Sequence, residues 1–264
     1  MRKSLVSVLV FLVSCAMAFA ANTASDNASD AVYNDAWTTG DNGGTGFGSW
    51  TLGGAFNSFW IGDSTLNGNP PTPNEGINVS GESFGLWSYT NGSGLAEGVR
   101  SFTGGALAVG QVFKISMDNG WIDSGIPGTV GVALQNSSGE NLWEWYFVGG
   151  GPSYQINQNG GAVNSGYAYT ERGIALSFGL VGSTNFVLDV TGPQWGTSSF
   201  TGSLLSAASG ESVDRFRVFS ANASPGGSAN WDFFVNSMEV IPEPGTLGLV
   251  GAALAGLLIF RRRR

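Results

Sequence analysis

The 264-residue sequence contains no histidine and a single cysteine, Cys15. Without an imidazole there is no serine–histidine or cysteine–histidine nucleophile pair and no histidine-ligated zinc site. One cysteine cannot form an intrachain disulfide or a thiolate cluster. Charge is scarce too: Asp, Glu, Lys and Arg make up 11 % of the chain, against roughly 25 % in an average soluble protein. Between residues 21 and 241 only Arg100, Lys114, Arg172, Arg215 and Arg217 are basic, against 18 acidic residues. A body of that sign repels phosphate backbones, so nucleic acid is excluded as a partner. No part of the body sustains a helical 3.6-residue period. What is plentiful is glycine, with 42 residues, and aromatics, at 12 %. Large apolar side chains interrupted by turn formers read as an all-β protein and not as a disordered chain.

The two ends carry addresses. Arg2 and Lys3 precede an apolar run from Leu5 to Val13, and Ala18-Phe19-Ala20 supplies a small-x-small cleavage pattern. Residues 1–20 therefore read as a secretory signal for removal by signal peptidase. Leu12-Val13-Ser14-Cys15 also matches a lipoprotein lipobox, in which Cys15 becomes the lipidated first residue. At the other end, Gly245 to Phe260 is an apolar stretch of 16 residues, followed by Arg261, Arg262, Arg263 and Arg264. As a helix it is ~24 Å long, slightly short of a ~30 Å hydrocarbon layer, and snorkelling arginines make up the difference. The four arginines form a basic stop that keeps the tail end cytoplasmic and leaves the body outside the inner membrane.

The order Pro242-Glu243-Pro244, then a Gly/Ala/Leu-rich helix, then a terminal arginine cluster resembles the PEP-CTERM sorting signal. The resemblance implies handling at Pro242, Glu243 and Pro244 by an exosortase-type membrane protease/transpeptidase. It also implies transient anchoring in the inner membrane, then delivery to the cell surface or the exterior, with exopolysaccharide as a candidate partner.

The body reads as strand after strand: Phe56–Gly62, Phe84–Tyr89, Gly98–Phe102, Gln111–Met117, Thr129–Gln135 and Leu142–Val148, then Ser153–Ile156, Gly173–Leu180, Asn185–Val190, Ser198–Gly202, Val213–Ser220 and Asp232–Val240. Each run is bounded by Gly, Asn, Asp or Ser, and spacing near ten residues predicts an antiparallel β-sandwich or jelly roll. Period two places Trp143, Trp145 and Phe147 on one face and Leu142, Glu144 and Tyr146 on the other. The first set reads as sandwich core, with a sugar-stacking platform as the alternative. The expected organisation is a signal at 1–20, a loose lead at 21–34, a sandwich domain at 35–240 and a sorting segment at 241–264.

Trp37, the Asp41-to-Trp50 segment, Ile61-Gly62-Asp63-Ser64, Ser83-to-Trp87, Arg100-Ser101-Phe102, Met117-to-Gly120 and Val213-to-Arg217 together resemble a concanavalin A-like sandwich domain frequent in PEP-CTERM proteins. That resemblance implies two packed antiparallel sheets in a jelly roll and no particular ligand.

Few motifs carry chemistry. Gly81-Glu82-Ser83-Phe84-Gly85 has the form of a nucleophile elbow, but the required histidine is missing. Gly44-Thr45-Gly46-Phe47-Gly48 lacks the strand–helix context and the lysine of a phosphate loop. A glycosidase needs only a carboxylate pair. The laminarinase-type enzymes with this sandwich carry Glu-x-Asp-x-Glu, and here Glu140 and Glu144 have the outer spacing while Leu142 replaces the central aspartate. No other cofactor is expected, but calcium suits Asp41, Asp63, Asp118 and Asp123 in their glycine- and asparagine-rich surroundings. With no full EF-hand or repeat pattern, each of the four reads first as an ordinary Asx-turn residue. Trp121 and Trp195, beside Asn119-Gly120 and Gly192-Pro193, are the expected partly exposed, sugar-stacking indoles. The sequence thus predicts a non-enzymatic, surface-sorted sandwich, structural or glycan-associated, with a carbohydrate-active enzyme as the alternative.

Overall fold

The computed structural model describes residues 23–67, 75–126, 128–205, 211–226 and 229–242. The chain forms β1 (Ala24–Asp26), β2 (Thr51–Ala55), β3 (Asn57–Gly62), β4 (Ser83–Ser88), β5 (Leu95–Ser101), β6 (Gln111–Asn119), β7 (Thr129–Gln135) and β8 (Asn141–Val148). It continues with β9 (Ser153–Gln158), β10 (Gly161–Ala168), β11 (Ile174–Leu180), β12 (Asn185–Gly192), β13 (Gly196–Ser203), β14 (Arg215–Ala221) and β15 (Phe233–Pro242). Only three one-turn 3₁₀ helices interrupt the strands among the described residues.

Two antiparallel sheets make the sandwich. One has the order β13-β12-β11-β6-β15-β4-β3, with β1 added beside β15; the other has the order β10-β9-β8-β7-β14-β5-β2. Alternation explains the layering. In β12, Phe186, Leu188 and Val190 are buried while Asn185, Val187, Asp189 and Thr191 face outward. In β8, Trp143, Trp145 and Phe147 point inward and are buried. Across the interface Trp143 meets Phe178 at 5.0 Å, and Phe113 meets Phe216 at 5.0 Å. Such aromatic pairs add about 0.5–1.5 kcal/mol each beyond their buried area.

The N-terminal segment is not a loose lead. Its polar β1 pairs with the end of β15, Ala24 opposite Val240, and Ala24, Ala28 and Tyr33 are buried. Asp26 forms an ion pair with Arg100, and both side chains are fully excluded from solvent. The Arg100 guanidinium also donates to Gly48 O and Asn42 Oδ1 and lies over the rings of Phe47 and Trp50. The segment is ordered because it covers a charge that would otherwise be stranded in the core.

β15 serves two neighbours along one edge, β4 at Phe233–Val235 and then β1 at Met238–Val240. A bulge between Asn236 and Glu239, with Ser237 at φ +51°, makes the change. The strand continues to Pro242, opposite Gln111. The sandwich therefore does not stop at residue 240, and the first residue of the Pro-Glu-Pro motif belongs to the sheet. Glu243, Pro244, the Gly245–Phe260 stretch and Arg261 to Arg264 lie outside the described residues, as does the signal at 1–20. Among the described residues no helix is long and apolar enough to cross a membrane.

Candidate functional site

Connectivity gives the sandwich two unlike ends. Every even-numbered strand from β2 to β14 runs toward one end, where the next strand begins. The chain enters at the opposite end through Thr23 and leaves it through Pro242, with Thr23 N–H donating to Val240 O at 2.8 Å. The aromatic residues exposed among the described residues all lie on loops of the first, tail-distal end: Phe56 (61 % exposed), Trp121 (50 %) and Tyr89 (41 %). Ile126, also exposed, is on the same end.

Local structure holds these side chains out. Phe56 is the one residue between β2 and β3, at the corner where the chain passes from one sheet to the other. Its φ of +51° is unfavourable for a bulky residue. Its carbonyl accepts from Tyr89 N–H at 2.9 Å, tying the two aromatic loops together, and Tyr89 lies 6.0 Å from Trp87. Trp121 N–H donates to Asn230 O at 2.7 Å, and its ring lies 6.4 Å from Tyr169. Tyr169 packs on buried Phe147 at 4.8 Å, so the exposed indole rests on a supported platform. Burial, with the nearby Glu171 carboxylate, holds the Tyr169 phenol well above its usual range, so it stays neutral.

The same end opens onto a groove of about 650 Å³ on the outer face of the eight-stranded sheet. Ser116, Ala175 and Thr191 form its floor, side by side on β6, β11 and β12. Glu75–Asn78 form one wall, fixed by Gly173 N–H donating to Glu75 O at 2.7 Å and Asn236 Nδ2 donating to Ile77 O at 3.1 Å. Gly192 and Pro193 line the groove as well.

Of the two tryptophans singled out from sequence, the structure exposes only Trp121 strongly. Trp195 is half-buried, 4.8 Å from Tyr167, and it sits over Gly192, where an added Cβ would come within 2.6 Å of the indole. It closes the edge between β10 and β13 and serves packing.

The four aspartates proposed for calcium do not form a centre: no group of three acidic residues is close enough to hold a metal among the described residues. Asp41 accepts from Thr38 N–H, and Asp123 from Gly125 N–H, each closing its own turn. Asp63 accepts from Thr65 and Asn78; burial opposes its ionisation, but those hydrogen bonds outweigh it and lower its pKa. Asp118 is buried beneath Asn67, whose Nδ2 donates to it at 3.0 Å, and burial pushes its pKa up to about 8. Burial also raises Asp232, to about 7.

Glu140 and Glu144 stand among asparagines: Asn136 donates to Glu140, and Asn141 and Asn157 donate to Glu144. Leu142, at the place of the missing aspartate, is buried. Sequence reasoning did not find Phe56 or Tyr89 as exposed, because a lone aromatic beside a strand has the same local signature inside or out.

Residues 240–264 match the PEP-CTERM protein-sorting motif. No curated protein matches the chain. Among solved structures, the body is similar to a carbohydrate esterase of Shiga toxin-encoding bacteriophage phi24B, at 13 % identity and TM-score 0.50, over 85 % of this chain and 99 % of that one. It is similar to a protein of unknown function from Shewanella oneidensis MR-1, at 8 % identity and TM-score 0.50, over 83 % and 86 %. A third similar structure is the CBM2 module of the evolved Dit of Lactobacillus casei BL23 phage J-1, at 10 % identity and TM-score 0.46, over 84 % and 98 %. At such identities the likeness shows the fold alone. The protein is a jelly-roll-type β-sandwich ending in a PEP-CTERM sorting motif, which implies export, membrane-anchored sorting to the surface and processing by an exosortase.

Proposed function

We propose that the body is a non-enzymatic surface module that binds neutral polysaccharide of the extracellular matrix through its tail-distal aromatic loops. The observation that carries this reading is the segregation of Phe56, Tyr89 and Trp121 to the end opposite Pro242. A chain held by its C-terminal tail turns that end away from the membrane, toward the matrix. Exposed aromatic faces stack on sugar rings without needing charge, which suits an acidic body. The strained φ of Phe56 supports a binding role, because such strain concentrates where a side chain must be presented. The phage neighbour is described as a carbohydrate esterase on the same fold. Its activity is not carried over, since this chain has no histidine to activate a serine.

Affinity electrophoresis tests the proposal. The secreted body is expected to be retarded in gels containing a neutral polysaccharide, and Trp121→Ala to remove most of that retardation while melting as the parent does. Equal retardation of parent and Trp121→Ala would overturn it.

A further inference from the structure

We propose that the groove on the eight-stranded sheet is the subsite that holds the polysaccharide chain leading away from the aromatic loops. This rests on the glycan-binding reading and assigns it a second, separately testable set of residues.

The floor is unusual for an outer sheet face in being low. Ser116, Ala175 and Thr191 lie in one row across three neighbouring strands, at ~4.8 Å per strand. Thr191 Oγ1 bonds Thr197 Oγ1 on the next strand at 2.8 Å, extending the hydroxyl row to β13. No side chain in that row is larger than threonine, whereas Glu75–Asn78 and Pro193 rise beside it. The volume of about 650 Å³ falls within the 300–1,000 Å³ typical of ligand sites.

Chemistry selects the occupant. The lining offers the Ser116 and Thr191 hydroxyls, with Ile77 and Pro193 as apolar walls. Its one charged member, Glu75, is neutralised by Arg172 at 2.6 Å, so the groove has no net attraction for an anion or a cation. A neutral, hydroxyl-rich chain matches this lining; a uronic acid polymer or a nucleotide does not.

Continuity fixes the direction. The segment 169–173 joins the two regions: Tyr169 supports Trp121, Arg172 braces the Glu75 wall, and Gly173 lines the groove. That segment links the Trp121 platform to the groove wall. The floor also tolerates a probe, because Ala175 and Thr191 are exposed and belong to no core cluster.

The test fills the groove. Ala175→Tyr, and independently Thr191→Tyr, are compared with Ser199→Tyr, which adds the same bulk to the same sheet outside the groove. Each is run by affinity electrophoresis through dextran, laminarin, galactomannan and the exopolysaccharide of the producing strain. Both groove variants are expected to lower apparent affinity roughly tenfold on whichever polymer retards the parent, with Ser199→Tyr unchanged and all melting temperatures equal. Parent-like retardation of the two groove variants overturns the subsite. If Trp121→Ala still abolishes retardation in that case, glycan binding stands without the groove. If no polymer retards the parent, both readings fall.

Discussion

Asp26 and Arg100 meet in an ion pair with neither side chain exposed, which fastens the N-terminal strand β1 to the sandwich. Removing one partner leaves the other charge buried and unpaired. Asp26→Ala should therefore cost about 3–5 kcal/mol, measured by urea unfolding of the secreted body. The double variant Asp26→Leu/Arg100→Met should recover much of that loss, because two apolar side chains impose no desolvation penalty. A single-variant cost below about 1 kcal/mol, the range of surface pairs, would show that the pair is hydrated.

Burial raises Asp118 to about 8 and Asp232 to about 7, from an unfolded value near 3.8. The folded state then binds protons that the unfolded state releases. The corresponding stability is fully present below pH ~4 and is lost as pH rises through 7 and 8. Protonated Asp118 also supplies a donor, and Asn67 Oδ1 beside it is buried without one. The melting temperature should fall between pH 5 and pH 9, and Asp118→Asn should flatten that slope. A melting temperature that rises over this range would contradict the assignment.

Tryptophans separate by role. Trp145, buried and stacked on Tyr154 at 5.3 Å, should cost about 3–5 kcal/mol on truncation to Ala. Trp121→Ala should change stability by less than about 0.5 kcal/mol. Chemical denaturation of the two variants side by side reads the difference directly.

Processing should be sensitive to the missing spacer between sheet and motif. Ile241 and Pro242 pair with Val112 and Gln111, and both the backbone N–H and the hydroxyl of Thr23 donate to Val240 O. A six-residue Gly-Ser insertion between Ile241 and Pro242 should leave the body's melting unchanged and speed conversion of the full-length form, followed by pulse-chase. Glu243→Ala should instead accumulate the full-length form in membranes. Unaltered conversion of the spacer variant would show that the sheet does not limit access to Pro-Glu-Pro.

Most of the framework was legible because large apolar residues alternate between glycine- and asparagine-rich turns. The run from Thr129 to Gln135 forms a strand with those bounds, and Asn159-Gly160 closes the β9–β10 hairpin. The strands that escaped are the ones without such a pattern. Thr51–Ala55 contains two glycines, Gly161–Ala168 is mostly small and polar, and Ala24–Asp26 is held by pairing with residues more than 200 positions away. The site was legible only in part. Trp121, just past the Asn119-Gly120 pair that ends β6, is exposed, while Trp195, also beside a glycine-containing pair, Gly192-Pro193, folds back onto Gly192. The groove could not be read at all, because Ser116, Ala175 and Thr191 meet only through sheet register.

Hydrogen–deuterium exchange of the secreted body, with and without a saturating neutral polysaccharide that retards it, locates the bound chain. Added protection is expected in 89–94, 120–126 and 169–173, with none in 23–26 or 238–242 at the opposite end. Protection confined to the outer face of the seven-stranded sheet, or to the end where the chain enters and leaves, would contradict binding at the aromatic loops.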